Sequence, residues 1–185
     1  MYTLSKLIIL TLLIVGIFTV GSLATNEAYA AVDMFLKIDG IDGEANDEGE
    51  IKIDSFQWGL TNQDKKRGGG GGAGKVTIQD LSFVMKFEKA SPILMQAVAD
   101  GKQFPDAVIT FIEQRHGAEY LTITLTEVRI SSYLTGYGDT LAPTSQFDEV
   151  SLNFDKITFV YQQPVKEGEA IPEPVEGSAS KHGRK

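Results

Sequence analysis

The sequence predicts a mainly β protein: a small closed β-barrel of two antiparallel sheets with one short α-helix. Three observations carry this reading. Apolar and polar residues alternate with period two through most of residues 31–163, and that period turns one face of a strand toward a core. Four of the alternating runs change phase near their middle, as strands do when they bend through a bulge or pass between sheets at the corner of a small barrel. A single stretch, Ser91 to Gly101, carries helix signals.

At the start of the chain, residues 1–30 read as a secretory signal peptide ahead of the fold. Lys6 and the amino terminus precede Leu7 to Ala24, an 18-residue run without a charge, and Ala28-Tyr29-Ala30 then precedes Ala31. A positive start, an apolar middle and an A-x-A end are the three parts of such a signal. Ala28, Ala30 and Ala31 are the expected cleavage residues, with the cut after Ala30. The rival reading is an uncleaved anchor, since 18 apolar residues just span a bilayer; Gly16 and Gly21 weaken a permanent helix there.

The first strand places Val32, Met34, Leu36 and Ile38 on one face. The second begins at Ile51 and Ile53, then changes phase to Phe56, Trp58 and Leu60. Val76 and Ile78 slip to Leu81, Phe83, Met85 and Phe87; Leu121, Ile123 and Leu125 slip to Val128 and Ile130; Val150, Leu152 and Phe154 slip to Ile157, Phe159 and Tyr161. Coverage of both strand faces, the outer one by a partner subunit, gives the same signature. For the helix, Ser91 is the expected cap, Pro92 the first helical residue and Gly101 the stop, with Ile93, Leu94, Ala97 and Val98 as its apolar stripe. Residues 164–185 contain Pro164, Pro172, Pro174 and four glutamates with few large apolar side chains, a composition that predicts a flexible tail.

Composition removes several function classes. Seventeen Lys and Arg stand against 25 Asp and Glu, a net charge of -8, which argues against nucleic acid and against an anionic membrane surface as partners of the mature chain. With no cysteine, thiol nucleophiles, disulfides and iron–sulfur clusters are excluded; with only His116 and His182, so is a multi-histidine metal centre.

The motifs that carry chemistry in other proteins fail here. Gly69 to Lys75 fits G-x-x-x-x-G-K, but the motif needs Ser or Thr next and a helix afterwards; Val76-Thr77-Ile78 is a strand pattern. The acidic run Asp39, Asp42, Glu44, Asp47 and Glu48 does not keep EF-hand spacing, because from Asp42 the sixth place is Asp47 and the twelfth Ile53. It reads as a solvated turn. There is no G-x-S-x-G, and nothing singles out a pair of glycosidase carboxylates. Trp58 sits in an apolar phase and reads as a core or interface anchor. The sequence thus predicts no catalytic residue, metal or cofactor, and no enzyme.

The run Gly68, Gly69, Gly70, Gly71, Gly72, Ala73 and Gly74 has two readings. Six glycines in seven residues are costly to order in a monomer. One reading is a loop ordered only against a partner, its lead-in Lys65, Lys66 and Arg67 meeting acid on a neighbour. The other is a solvated loop.

Several stretches resemble the Hcp family, the haemolysin-coregulated tube subunits of type VI secretion systems. They are Ala31-Val32-Asp33-Met34-Phe35-Leu36-Lys37-Ile38, Ile41-Asp42-Gly43-Glu44, Phe56-Gln57-Trp58-Gly59, Gly68 to Lys75 and Val76 to Phe83. Ala90-Ser91-Pro92-Ile93-Leu94-Met95, Tyr120 to Leu125 and Val150-Ser151-Leu152-Asn153-Phe154 come next in the family's order. The resemblance spans residues 31–163. It implies a β-barrel whose copies close into a homohexameric ring. Rings stack into a tube that bears a spike protein and carries small effector proteins in its lumen. It also implies that Lys65 to Gly72, Gly74 and Lys75 lie at a ring-stacking or subunit interface. Two features depart from the family: the leader, which implies a periplasmic or extracellular location, and the Pro- and Glu-rich tail. A family fold kept as an exported monomeric binding module, for a small ligand or a surface partner, is the alternative.

Overall fold

Among the described residues the alternating runs become ten strands and one helix. The computed structural model describes residues 31–63, 75–114, 117–138, 145–165 and 170–181. In chain order these hold β1 (Val32–Ile38), β2 (Ile51–Gln57), β3 (Leu60–Gln63), β4 (Lys75–Ile78) and β5 (Leu81–Lys86). The helix α1 (Ser91–Asp100) comes next, then β6 (Gln103–Glu113), β7 (Ala118–Gly138), β8 (Ser145–Asn153), β9 (Lys156–Tyr161) and β10 (Val175–Ser180).

Six strands close a barrel in the order β7-β6-β1-β2-β5-β8, with β8 returning to β7. All the pairings are antiparallel. Closure leaves these strands few open edges. β9 and β10 extend the sheet beyond the first half of β7, and β3 and β4 form a separate two-stranded sheet. The fold class read from sequence is the one observed.

Each phase slip has a structural cause. In β2 the register shifts between Ile53 and Ser55, a bulge that rotates Phe56 toward the side Ile53 had faced. At Gln79-Asp80 the chain leaves the small sheet and enters the barrel as β5. In β7, Glu127 has a φ of 54°, which turns the strand between Leu125 and Val128. At Phe154-Asp155 the chain passes from β8, which pairs with β5 and β7, to β9, which pairs with β7 and β10.

The interior is filled by side chains. Leu36, Ile38, Ile51, Leu81, Met85, Ile109, Ile123, Leu125, Val150, Leu152 and Phe154 are fully buried, each worth about 1.5–3 kcal/mol of transfer free energy. Leu94 and Ala97 bring α1 onto the same core, against β7. Gly101, at φ 61°, ends the helix: its N–H donates to Val98 O at 3.2 Å and that of Lys102 to Ala97 O at 3.0 Å. The expected Ser91 cap is not formed. Ala90 holds the cap position without a side-chain bond, and the buried Ser91 Oγ accepts the Glu88 N–H at 3.0 Å.

The acidic connection between β1 and β2 is a tight turn. Asn46 Oδ1 accepts the N–H groups of Glu48 and Glu50 at 3.1 and 3.2 Å, an Asx-type closure. A Cβ at Gly43 would lie 2.3 Å from Glu50 O. Gly43→Ala therefore displaces backbone and lowers stability by about 1–3 kcal/mol. A urea midpoint equal to that of the parent chain would contradict this.

The tail departs from expectation. Residues 164–185 read as flexible, but Val175–Ser180 pairs with β9 from Val175↔Tyr161 to Ser180↔Lys156. The strand needs little apolar burial because its stabilisation is a backbone ladder, which composition does not report.

Candidate functional site

The features that distinguish this barrel from an inert one are its edges and one polar corner. Among the described residues β3 and β4 pair only with each other. Leu60 and Val76 on them are exposed. Gln63 and Lys75 are the last register pair of this hairpin, so the two ends of the connecting segment leave side by side. Lys65, Lys66, Arg67 and Gly68 to Gly74 lie outside the described residues, as do Ala28, Ala30, His116 and His182. Ala31 is described: its carbonyl accepts the Gln114 N–H at 2.9 Å at the start of β1.

Among the described residues, further edges lie at β10, which pairs only with β9, and at the end of β7. There the pairing with β6 stops at Arg129 and only β8 continues the ladder. Leu134 and Tyr137 are exposed on this stretch, and Tyr137 is 72% accessible. Unpaired N–H and C=O groups on such edges are templates for pairing with another chain.

The polar corner is centred on Asp80. Its Oδ2 accepts the Ser131 hydroxyl at 2.7 Å; its Oδ1 accepts Asn153 Nδ2 at 2.7 Å and Lys181 Nζ at 3.2 Å. Burial pushes the Asp80 pKa up, but the bonds from Ser131, Lys181 and Asn153, with the Lys181 charge, outweigh it and hold the carboxyl below its ordinary value. The neighbouring Gln79 closes the base of the hairpin. Its N–H donates to Gly59 O at 3.0 Å, and its carbonyl accepts Trp58 Nε1–H at 3.1 Å. The Trp58 ring lies 5.4 Å from that of Phe159, in keeping with the anchor role read from sequence. Asp80 and Lys181 are not singled out by any sequence motif. The one available signal was the phase slip between Ile78 and Leu81.

Two other carboxylates stand out. Asp33 accepts Lys52 Nζ at 2.7 Å across β1 and β2. That bond is the largest cause of its lowered pKa, the Gln114 hydrogen bond and the Lys52 charge adding to it against burial. Asp148 is fully buried on β8, and neither of its oxygens meets hydrogen-bond geometry. It faces Tyr133, whose phenol is pushed up first by burial and then by Asp148.

These signs set the pH dependence. Asp80 and Asp33 ionise more readily folded than unfolded, so they contribute stability above their ordinary value near 3.8 that is lost as pH falls through their lower folded values. Glu88, raised mainly by burial, acts oppositely: its contribution is present below 4.5 and lost as pH rises through its folded value. Unfolding free energy is therefore expected to fall below pH 3.8, with a shallower slope in Asp80→Asn. Denaturant midpoints measured from pH 2 to 6 check this, and equal slopes in the two proteins would contradict it.

Among the described residues no cluster of three His, Cys, Asp or Glu is arranged to hold a metal. The concavities are shallow. One of about 260 Å³ lies between Glu44, Lys52 and Glu88, and one of about 220 Å³ between Glu113, Pro164 and Ile171. Both fall below the usual size of a small-molecule site; a third, of about 400 Å³, reaches that size but is an open, polar dish lined by Asp42, Asp47, Glu48 and Lys89 rather than an apolar cleft.

A profile of the family described as "Type VI secretion system effector, Hcp" matches residues 35–161. The chain belongs to the Hcp family. It is 39% identical over 151 residues to protein hcp1 of Pseudomonas aeruginosa, covering 78% of this chain and 92% of that protein. Hcp1 of Salmonella typhimurium superposes with a TM-score of 0.63 at 29% identity, over 81% of this chain and 95% of that one. A type VI secretion system effector from Yersinia pestis does so at 0.60 and 28% identity, over 80% and 99%. The Hcp match begins at Phe35, midway along β1, runs through the end of β9 and stops before β10.

Proposed function

We propose that this chain is a non-enzymatic, ring-forming subunit of a type VI secretion tube, exported with loss of residues 1–30 and able to hold small effector proteins in the ring. The observation that supports it is the combination of a filled, closed barrel with open strand edges at β7, β10 and the β3–β4 hairpin. A closed barrel satisfies its own core; the edges are what remains for identical copies. Six copies joined edge to edge form the ring. The segment from Lys65 to Lys75, launched from the hairpin, meets the next ring, and a spike protein sits on the last one. Removal of residues 1–30 leaves Ala31-Val32-Asp33 as the terminus, so assembly takes place outside the cytoplasm.

Electron microscopy of the protein recovered from the periplasm of a Gram-negative host tests this. Six-fold rings with an open centre are expected. Isolated particles of one subunit would favour a monomeric binding module instead.

A further inference from the structure

We propose that the carboxy-terminal strand β10 is a latch fastened at Asp80, and that its closure fixes the base of the β3–β4 hairpin. The strand itself is weakly held. Val175 to Ser178 and Ser180 are exposed, and Ala179 alone is half-buried against the core. A strand with a ladder but little apolar burial belongs to the low-stability end of a structure.

The residue just past the strand is held more firmly. Lys181 donates its backbone N–H to Asp155 O at 2.8 Å, places Nζ 5.0 Å from the centre of the Phe154 ring and reaches Asp80 at 3.2 Å. One residue thus ties the end of the chain to the β8–β9 corner and to the β4–β5 corner. A charge-assisted bond in a half-buried setting is among the stronger polar contacts available, and the ring adds a cation–π contribution.

The coupling to the hairpin runs along two physical links. Asp80 is bonded covalently to Gln79, whose N–H and carbonyl make the two contacts that close the hairpin base on Gly59 and Trp58. Separately, Gly177 of β10 is the register partner of Phe159, the ring against which Trp58 packs. Opening β10 therefore loosens Trp58 from both sides. The hairpin in turn sets where Gln63 and Lys75 stand. This holds whether or not copies form rings.

The chain has one tryptophan, so its fluorescence reports the hairpin base directly. The test is Lys181→Met, which keeps the stem over Phe154 and removes the ammonium, on the chain as recovered from its host. Amide exchange in β10 is expected to rise about 5–10-fold. The Gln79 amide should exchange faster in parallel, and Trp58 emission should move to the red. Asp80→Asn is expected to do the same, with exchange in β1 and β6 unchanged in both as the check on folding. Unchanged β10 exchange in both variants would overturn the latch. Faster β10 exchange with Gln79 and Trp58 unaffected would overturn the coupling.

Discussion

Replacing Phe83 with alanine is expected to lower the unfolding free energy by about 3–5 kcal/mol. Phe83 is 1% exposed. It lies on β5, between Phe56 of β2 and Val150 of β8. Truncation removes a large buried ring and leaves a void, and three adjacent strands cannot all move in to fill it. Phe87, one residue beyond the end of the same strand, is half-exposed; Phe87→Ala should stay within about 0.5 kcal/mol, the range of a surface change. Urea unfolding of both variants measures the contrast, and the slope should be unchanged if only stability alters. Equal midpoints for the two variants would place Phe83 outside the core and contradict the closed barrel.

Substituting valine for both Gly71 and Gly72 is expected to abolish ring stacking while leaving the subunit folded. Glycine reaches backbone conformations that a β-branched residue cannot adopt. A run of six glycines in seven residues is expected to conform closely to a neighbouring ring. Two valines restrict that freedom and hold the facing surfaces apart. The hairpin that bears the run is closed by Gln79, Gly59 and Trp58, none of which changes, so the urea midpoint should match that of the parent. Electron micrographs of the double variant should show single rings and no tubes. Tubes of ordinary length would assign the run to solvent and remove its role in assembly.

The fold was legible because β-strand burial has a period of two, and each break in that period marks a break in the structure. The bulge at Ile53/Ser55, the corner at Gln79-Asp80, the turn at Glu127 and the switch at Phe154-Asp155 each stand where the alternation slips. Helix α1 was legible from Pro92 and Gly101, which fix backbone angles on their own. The Ser91 cap was not, because a serine before a proline bonds whichever amide tertiary packing presents to it, here Glu88. Strand β10 escaped because Val175 to Ser180 offers no buried face and its ladder with β9 is made by backbone alone. The corner at Asp80 joins residues far apart in the chain, Asp80 with Ser131, Asn153 and Lys181. Polar contacts of that range leave no periodic trace. The glycine run and the leader were read from local composition and lie outside the described residues.

Native mass spectrometry of the full-length gene product, expressed in a Gram-negative host and recovered from its periplasm, decides whether this barrel assembles. Six-subunit assemblies whose chains begin at Ala31 are the predicted result. A monomer beginning at Ala31 would contradict it, because the family fold would then stand without its assembly.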